Sequence, residues 1–259
     1  GKKFFKHKYQ SISNNIMNDY TYSKSFYINP HEADATKHLT PTILGNYILN
    51  TAGMAAREFG FGMDTMHNQG VAWVVSRMSI EINELPKEYT TIKIKTWIED
   101  VNPICSTRNY LVYDESDKII AQATTLWSVI DTSTRKMVNL VTHSTISKFI
   151  HTTEETEFTI TRTKRIDVTG EPDNKYPYTV KYSDIDMNNH VNSMKYIQWV
   201  IDTLPIEKIK KGIKKIDINY IKEALYGDEL LIKHYNKERK DIFEIQKEDN
   251  TCCKITLEI

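Results

Sequence analysis

The feature that most constrains the fold of this chain is a short polar pattern that occurs twice. Asp34 and His38 in the first half recur, with the same spacing and one constant offset, as Asp186 and His190 in the second half. After each copy the sequence predicts an amphipathic helix and then several strands. We therefore expect a tandem α+β architecture, in which each half is a long helix wrapped by an antiparallel sheet.

Capping residues and apolar stripes define the two predicted helices. Thr40 is a suitable N-cap, Pro41 suits the first helical position, and Gly60 closes the first helix. The second helix is expected to start at the N-cap Asn192 and to end before Pro205. Its apolar stripe comprises Met194, Ile197, Val200, Ile201 and Leu204. Each helix thus offers one apolar face to a core.

Segments rich in β-branched and aromatic residues, separated by polar turns, predict four strands in each half. These are residues 71–82, 91–99, 107–114 and 118–130, and then 214–221, 229–236, 241–247 and 253–259. Residues 151–175 are polar and lack a sustained apolar pattern, which predicts a connector. The expected units are therefore an N-terminal half, residues 1–150, and a C-terminal half, residues 176–259.

The composition excludes several classes of function. Lys+Arg and Asp+Glu both number 34, so the formal net charge is zero and no overall field favours nucleic acid. Cys105, Cys252 and Cys253 lack metal-ligand spacing and suit reduced thiols better than a disulfide framework. No apolar run approaches membrane-spanning length, and residues 2–8 contain no hydrophobic signal core. We therefore expect a cytoplasmic protein that neither spans a membrane nor binds nucleic acid.

Motifs for cofactor or metal binding are incomplete in this sequence. Gly60-Phe61-Gly62 lacks the third glycine of a dinucleotide-binding loop, and His31-Glu32 lacks the second histidine of a zinc-binding helix. The sequence contains neither a P-loop nor a Gly-x-Ser-x-Gly elbow. We therefore expect no cofactor and no metal ion.

The polar segment before the second helix carries the strongest functional signal. Asp186, Asn188 and His190 occupy alternate positions, and alternate side chains of an extended segment share one face. An acid, an amide and an imidazole would then lie together beside a largely buried helix. Polar groups are costly there unless they serve each other or a ligand. An ordinary polar turn that caps the helix is the alternative interpretation.

Residues 183–199 resemble the second-half signature of the acyl-ACP thioesterase family, enzymes that release fatty acids from acyl carrier protein. The resemblance continues at residues 73–78 and 215–223 and spans nearly the full chain. It implies a double hotdog fold and hydrolysis of the thioester of acyl-ACP. It also implies a partner, an acyl carrier protein bearing an acyl-phosphopantetheine arm. An acyl-CoA thioesterase of the same fold and a non-catalytic acyl-binding module remain the alternatives.

By this resemblance, Asp186, Asn188, His190 and Glu223 match the acidic, amide, imidazole and acidic positions of the family's catalytic site. Thioester hydrolysis needs an activated water and a donor for the developing oxyanion. We expect Glu223 or Asp186 to act as general base and Asn188 to position the water or the carbonyl. His190 would donate to the thioester or orient the acid. Backbone N–H groups after Asn192 are further candidate donors.

One position departs from the pattern of the plant members, which carry a cysteine directly after the downstream acid. Here that position is Ala224, which excludes a covalent mechanism through it and favours direct attack by water. Cys105, Cys252 and Cys253 are interpreted as structural thiols.

The first half is expected to bind the acyl chain and not to catalyse. Thr36 stands where the second half has Asn188, so Asp34 and His38 are interpreted as a vestigial network at the entry of a helix. Met54 and Phe59 on the first helix and Trp73 on the next strand are candidate substrate-binding residues, although most such side chains are simply core.

A locally basic segment follows the second helix and contains Lys208, Lys210, Lys211, Lys214 and Lys215. A solvated loop is the default interpretation. An acidic carrier protein would nevertheless favour positive charge near the site, so these lysines are candidate carrier contacts. The sequence fixes neither the length, branching or saturation of the acyl chain nor the oligomeric state, and a homodimer stays open.

Overall fold

The computed structural model describes residues 19–238 and 240–259, so residues 2–8, discussed above for a signal core, lie outside the described residues. The strands are β1 (Thr21–Tyr27), β2 (Val71–Ile82), β3 (Thr91–Val101), β4 (Ser106–Tyr113), β5 (Ile119–Asp131), β6 (Asn174–Thr179), β7 (Lys215–Tyr220), β8 (Glu229–Lys237), β9 (Lys240–Lys247) and β10 (Asn250–Glu258). The α-helices are α1 (Pro41–Glu58), α2 (Met63–Asn68), α3 (Leu140–His143), α4 (Ser193–Asp202) and α5 (Ile206–Ile209).

All the predicted strands are present, with ends shifted by at most three residues. β1 and β6 were not predicted, and β6 begins inside the predicted connector. These two strands are the outer edges of the sheet. An edge strand is paired on one side only, so it tolerates exposed positions and even a proline, here Pro177. Both segments are therefore more exposed than the inner strands, and Pro177 further weakens the strand signal of β6.

The strands form one continuous antiparallel sheet in the order β1-β3-β4-β5-β2-β7-β10-β9-β8-β6. The expected α+β architecture of two similar halves is present, and the structure adds how the halves join. β2 of the first half pairs with β7 of the second, from Arg77 opposite Asn219 to Glu81 opposite Lys215. Five strands of each half thus lie on each side of this junction.

The long helices of the two halves pack against each other on the inner face of the sheet. Gly45 of α1 lies so close to Met194 of α4 that a Cβ there would be 2.2 Å from the methionine sulfur. Both predicted N-caps are present, since Thr40 Oγ1 accepts the Ile43 N–H and Asn192 Oδ1 accepts the Met194 N–H. α1 and α4 therefore share one core with the centre of the sheet.

The duplication seen in the sequence extends to backbone detail. The Asp34 N–H donates to the His38 carbonyl at 2.9 Å, and the Asp186 N–H donates to the His190 carbonyl at 2.8 Å. Lys37 and Asn189 occupy matching positions with φ of 64° and 61°. The two helices are thus entered through the same turn. No helix among the described residues has both the length and the apolar character needed to cross a bilayer.

Candidate active site

A large cavity in the described part of the chain has a volume of about 1520 Å³ and extends from the turn before α4 along the inner side of the first-half sheet. Four residues predicted for the site lie in its wall: Asp186, Asn188, His190 and Glu223. Residues of α1, β2, β4 and β5 form much of the remaining wall. Within residues 19–238 and 240–259, no cluster of His, Cys, Asp or Glu is arranged to hold a metal ion.

The predicted extended geometry of residues 186–190 is wrong, because this segment forms a tight turn. Asp186 Oδ1 accepts the backbone N–H of Asn188 at 2.8 Å and that of His190 at 3.3 Å. Asn189 adopts a left-handed φ of 61°, which asparagine tolerates better than most residues. The acid, the amide and the imidazole still reach one cavity wall, but the turn and not strand alternation brings them there.

Glu223 lies between an imidazole and a guanidinium. His190 Nε2 is 3.3 Å from Glu223 Oε2, and Arg135 Nη2 forms an ion pair with the same oxygen. Arg135 belongs to the turn after β5, so the first half contributes a side chain to the site. Arg135 was not predicted for the site, because no local pattern connects this turn with a residue so far along the chain.

Backbone contacts fix the segment that carries Glu223 against the turn that carries His190. The Val191 N–H donates to the Ala224 carbonyl at 3.0 Å, directly next to both side chains. Ala224 itself is fully buried, and the cavity wall is formed by Glu223 and Leu225 on either side of it. The relative position of the imidazole and the carboxylate is therefore held by main chain on both sides.

The donors available for an oxyanion differ from those expected at the start of α4. The Met194 N–H is taken by the side chain of Asn192 at 2.9 Å, and the Lys195 N–H by its carbonyl at 2.9 Å. Two of the expected backbone donors are therefore already occupied within the protein. The exposed amide side chain of Asn188 lies in the cavity wall, so it is the better candidate donor.

The matching turn of the first half lies outside this cavity. Thr36 Oγ1 donates to Asp34 Oδ1 at 2.6 Å and lies 3.1 Å from His38 Nδ1. The Leu39 N–H donates to the Pro86 carbonyl, the counterpart of the contact between Val191 and Ala224. The first-half counterpart of Glu223 is therefore Leu85, so the first-half turn has no acid at this position.

The candidate residues for the acyl chain occupy different places. Met54 and Trp73 lie in the cavity wall. Phe59 instead stacks on Phe149 in a separate small core, with ring centroids 5.0 Å apart. The prediction that Phe59 lines the acyl pocket is therefore wrong. Arg108, a buried cation in the wall, was not predicted for the site, although alternation along β4 would have directed it inward with Tyr110.

The basic segment lies away from the polar side chains of the cavity wall. Lys215 begins β7 and Tyr220, a cavity residue, ends it, which separates them by roughly 17 Å at the rise of a strand. Three lysines of the segment have acidic partners, namely Lys208 with Asp241, Lys210 with Glu207 and Lys215 with Glu81. Arg57 and Lys222 are the exposed cations of the cavity wall outside the contact with Glu223.

The cysteines lie outside the cavity wall, and two of the three are buried. Cys252 and Cys253 are buried in β10, and burial raises the pKa of both thiols. Cys105 lies in the turn before β4, where its backbone N–H donates to Asn102 Oδ1 at 3.0 Å. None of the three lies in the cavity wall, which agrees with structural thiols.

Comparisons with family models and with curated relatives indicate the same protein family for both halves of the chain. Two family models match this chain, the acyl-ACP thioesterase N-terminal domain over residues 19–148 and the acyl-ACP thioesterase C-terminal domain over residues 168–258. The chain is 26% identical over 223 residues to a chloroplastic oleoyl-acyl carrier protein thioesterase from Coriandrum sativum, which covers 80% of this chain and 60% of the relative. It thus spans about three fifths of the length of this curated relative.

Solved structures give the same result for the fold. An acyl-ACP thioesterase from Bacteroides thetaiotaomicron superposes with a TM-score of 0.84 at 32% identity, covering 92% of this chain and 97% of that one. The 12:0-ACP thioesterase from Umbellularia californica superposes with a TM-score of 0.77 at 21% identity, covering 92% and 96%, which shows the fold alone. The expected tandem double hotdog fold of the α+β class is confirmed.

Proposed function

The chain belongs to the acyl-ACP thioesterase family, and from this membership we propose that it hydrolyses the thioester of acyl-acyl carrier protein to release a free fatty acid. The observation that carries the proposal is the contact between His190 and Glu223 in the wall of a large cavity. Asn188 offers an amide donor in the same wall. Thioester hydrolysis needs these two things, a group that activates water and a donor for the oxyanion.

Glu223 acts as the general base in this proposal. Its carboxylate is oriented from two sides, by the His190 imidazole and by the Arg135 guanidinium, so it holds one position relative to the cavity. A water bound to Glu223 transfers a proton to the carboxylate as its oxygen bonds to the thioester carbon. The amide of Asn188 then donates a hydrogen bond to the carbonyl oxygen as negative charge develops on it.

Asp186 is a positioning residue in the same proposal. One of its carboxylate oxygens is already occupied by the backbone N–H groups of Asn188 and His190. Its contribution is therefore to hold the turn that presents these two side chains. The collapse of the tetrahedral intermediate breaks the carbon–sulfur bond, and the departing thiolate takes the proton from Glu223. A thiol with a pKa near ~8.5 leaves readily, so no strong acid is needed.

In this proposal the two halves have different roles, one in acyl binding and the other in catalysis. The N-terminal half, residues 1–150, binds the acyl chain, and the C-terminal half, residues 176–259, carries the catalytic groups. The partner is an acyl carrier protein bearing an acyl-phosphopantetheine arm. A cytoplasmic location fits the three free cysteines. A homodimer is not required, because all the proposed catalytic residues lie in one chain.

The experiment that tests this function compares carriers. Acyl-ACP and acyl-CoA with the same acyl chain are assayed side by side for release of free thiol, with the kcat/KM of each determined. We expect turnover of both and a higher kcat/KM for acyl-ACP. Equal values would remove the carrier assignment and favour an acyl-CoA thioesterase. Tight acyl binding with no turnover of either would favour a non-catalytic acyl-binding module.

A further inference from the structure

A buried cation in the wall of the cavity has no acidic partner among the residues that the structure describes. Arg108 is 4% exposed, and no ion pair involves it among the described residues. Its one side-chain hydrogen bond in that part of the chain is a long one, 3.4 Å from Nη1 to Thr96 Oγ1. A buried charge without a partner costs free energy, so it is tolerated where another group, such as a ligand, compensates the charge.

The free N–H groups of Arg108 open onto the cavity. Each nitrogen of its side chain is therefore either accessible to solvent or hydrogen-bonded. The residue lies in the cavity wall, and the pairing of β4 with β5 places Arg108 opposite Thr125 and Ser106 opposite Trp127. Ser106 and Trp127 lie in the same wall. The guanidinium therefore lies in a polar part of a cavity whose wall is otherwise largely apolar.

The sheet places this cation far from the catalytic groups. Arg108 lies opposite Thr125, Thr125 opposite Met78, and Met78 opposite Ile218 of β7. Three strand spacings separate β4 from β7, which is roughly 14 Å. In the proposed function the thioester carbonyl lies beside Asn188 and Glu223, which are close along the chain to the start of α4 and the end of β7. Arg108 therefore meets a distal part of a bound acyl chain and not the reacting carbon.

We propose that Arg108 forms a polar subsite in the acyl cavity, which binds an oxygen acceptor on the distal part of the acyl chain and disfavours plain hydrocarbon at the same depth. The ligand class is an acyl chain with a hydroxyl, oxo or carboxylate oxygen. The substrate form of this inference rests on the proposed thioesterase function. Burial lowers the pKa of the guanidinium, which is the expected sign for a cation whose partner is not supplied by the protein.

The test measures selectivity across acyl chains. Plain and ω-hydroxylated dodecanoyl-, tetradecanoyl- and hexadecanoyl-ACP are assayed, together with the half-thioester of dodecanedioic acid. At the chain length that reaches Arg108, the wild type should favour the oxygenated chain by roughly tenfold in kcat/KM, the scale of a hydrogen bond to a charged group. The hydroxyl and carboxylate arms distinguish a neutral acceptor from an anion.

Variants connect the preference to this side chain. Arg108→Met should remove the preference and raise kcat/KM for plain chains of that length, and Arg108→Lys should retain part of it. Arg77→Met is the matched control, because Arg77 precedes the inward-facing Met78 and points to the other face of the sheet. Arg108→Met should remain folded, since an apolar side chain replaces an unpaired buried charge.

The outcomes separate this inference from the proposed function. The same preference in the wild type and in Arg108→Met would overturn the subsite, as would a wild type that favours plain chains at every length. If the wild type hydrolyses no thioester, the proposed function fails. Calorimetric binding of ω-hydroxydodecanoic and dodecanoic acids to the wild type and to Arg108→Met then decides the subsite on its own.

Discussion

Glu223 holds the central position among the side chains of this site, because it contacts both the imidazole of its own half and a guanidinium from the other half. His190 and Arg135 both approach the same carboxylate oxygen. Neither contact uses the other oxygen, which the proposed mechanism assigns to the attacking water. The carboxylate can therefore be held in place and still accept a proton, which is the combination that a general base requires.

Substitutions in the two matching turns should have different consequences. Asn188→Ala and His190→Ala should each lower kcat by roughly 10²-fold or more, the scale of losing an oxyanion donor or a partner of the base. Asp34→Asn and His38→Ala are the matched controls and should leave kcat nearly unchanged. Steady-state kinetics with a thermal melt of each variant would check this. Equal losses of kcat in folded first-half variants would contradict the proposed asymmetry.

The cysteines should be dispensable for turnover. Because Ala224 cannot act as a nucleophile and Cys105, Cys252 and Cys253 lie outside the cavity wall, no acyl-enzyme should form. A variant with Cys105, Cys252 and Cys253 changed to serine or alanine should keep its kcat. Intact-protein mass spectrometry during turnover should show no acyl adduct. An adduct on any side chain, or loss of kcat in a folded cysteine-free variant, would refute direct attack by water.

Side-chain chemistry was predictable from the sequence where the groups are neighbours along the chain. Asp186, Asn188 and His190 lie within one turn, so their proximity follows from the sequence even though their geometry does not. The left-handed Asn189 reverses the chain, and no apolar alternation signals that reversal. Arg135 reaches Glu223 from the other half, and such a contact exists only once the sheet is assembled.

Among the elements, the crossing of α1 and α4 depends on one glycine. Gly45 admits the Met194 side chain, whereas Gly53 on the same helix has open space where a Cβ would lie. Gly53→Ala should raise the free energy of unfolding by about 1 kcal/mol through helix propensity alone. Gly45→Ala should lower it, because overpacking a core costs about 1–3 kcal/mol.

Denaturant unfolding of the two alanine variants measures this difference. Adding Met194→Ala to Gly45→Ala gives the control, since removing the long side chain should relieve the clash. If both single variants were stabilised equally, the close approach of the two helices would not be as described.

Helix ends were predictable because caps are local. Thr40, Pro41 and Asn192 fix the starts of α1 and α4 through contacts with the next few residues. The edge strands β1 and β6 were not predictable in the same way. An edge strand pairs on one side only, so its sequence can be more polar than that of an inner strand and can contain a proline.

The whole molecule is held together at the junction of β2 with β7. Neither strand contains a sequence pattern that identifies the strand with which it pairs, because the pairing joins residues far apart in the sequence. The duplication predicted two similar halves but not that their sheets merge into one. That merger also places the basic segment at one end of β7 and the catalytic groups near the other.

Two sets of cations can therefore be tested as carrier contacts. In one variant Lys210, Lys211 and Lys214 are changed to glutamate, and in the other Arg57 and Lys222 are changed in the same way. We expect the second variant to raise KM for acyl-ACP more, because its residues lie in the cavity wall. Hydrolysis of a small thioester is the control and should not change.

The effect on KM should shrink as ionic strength rises, because salt screens exposed charges. A larger effect from the lysine variant would restore the basic segment as the docking surface. An unchanged KM in both variants would show that the carrier docks without either set.

The measurement that tests the central claim most directly is single-turnover release of free thiol from acyl-ACP by the wild type and by Glu223→Gln. Glutamine keeps the shape of the side chain but cannot accept a proton. The wild type should release one equivalent of thiol and of free fatty acid, and Glu223→Gln should be slower by roughly 10²-fold or more while binding acyl-ACP normally. A Glu223→Gln variant as fast as the wild type, or a wild type that binds acyl-ACP and releases nothing, would contradict the account.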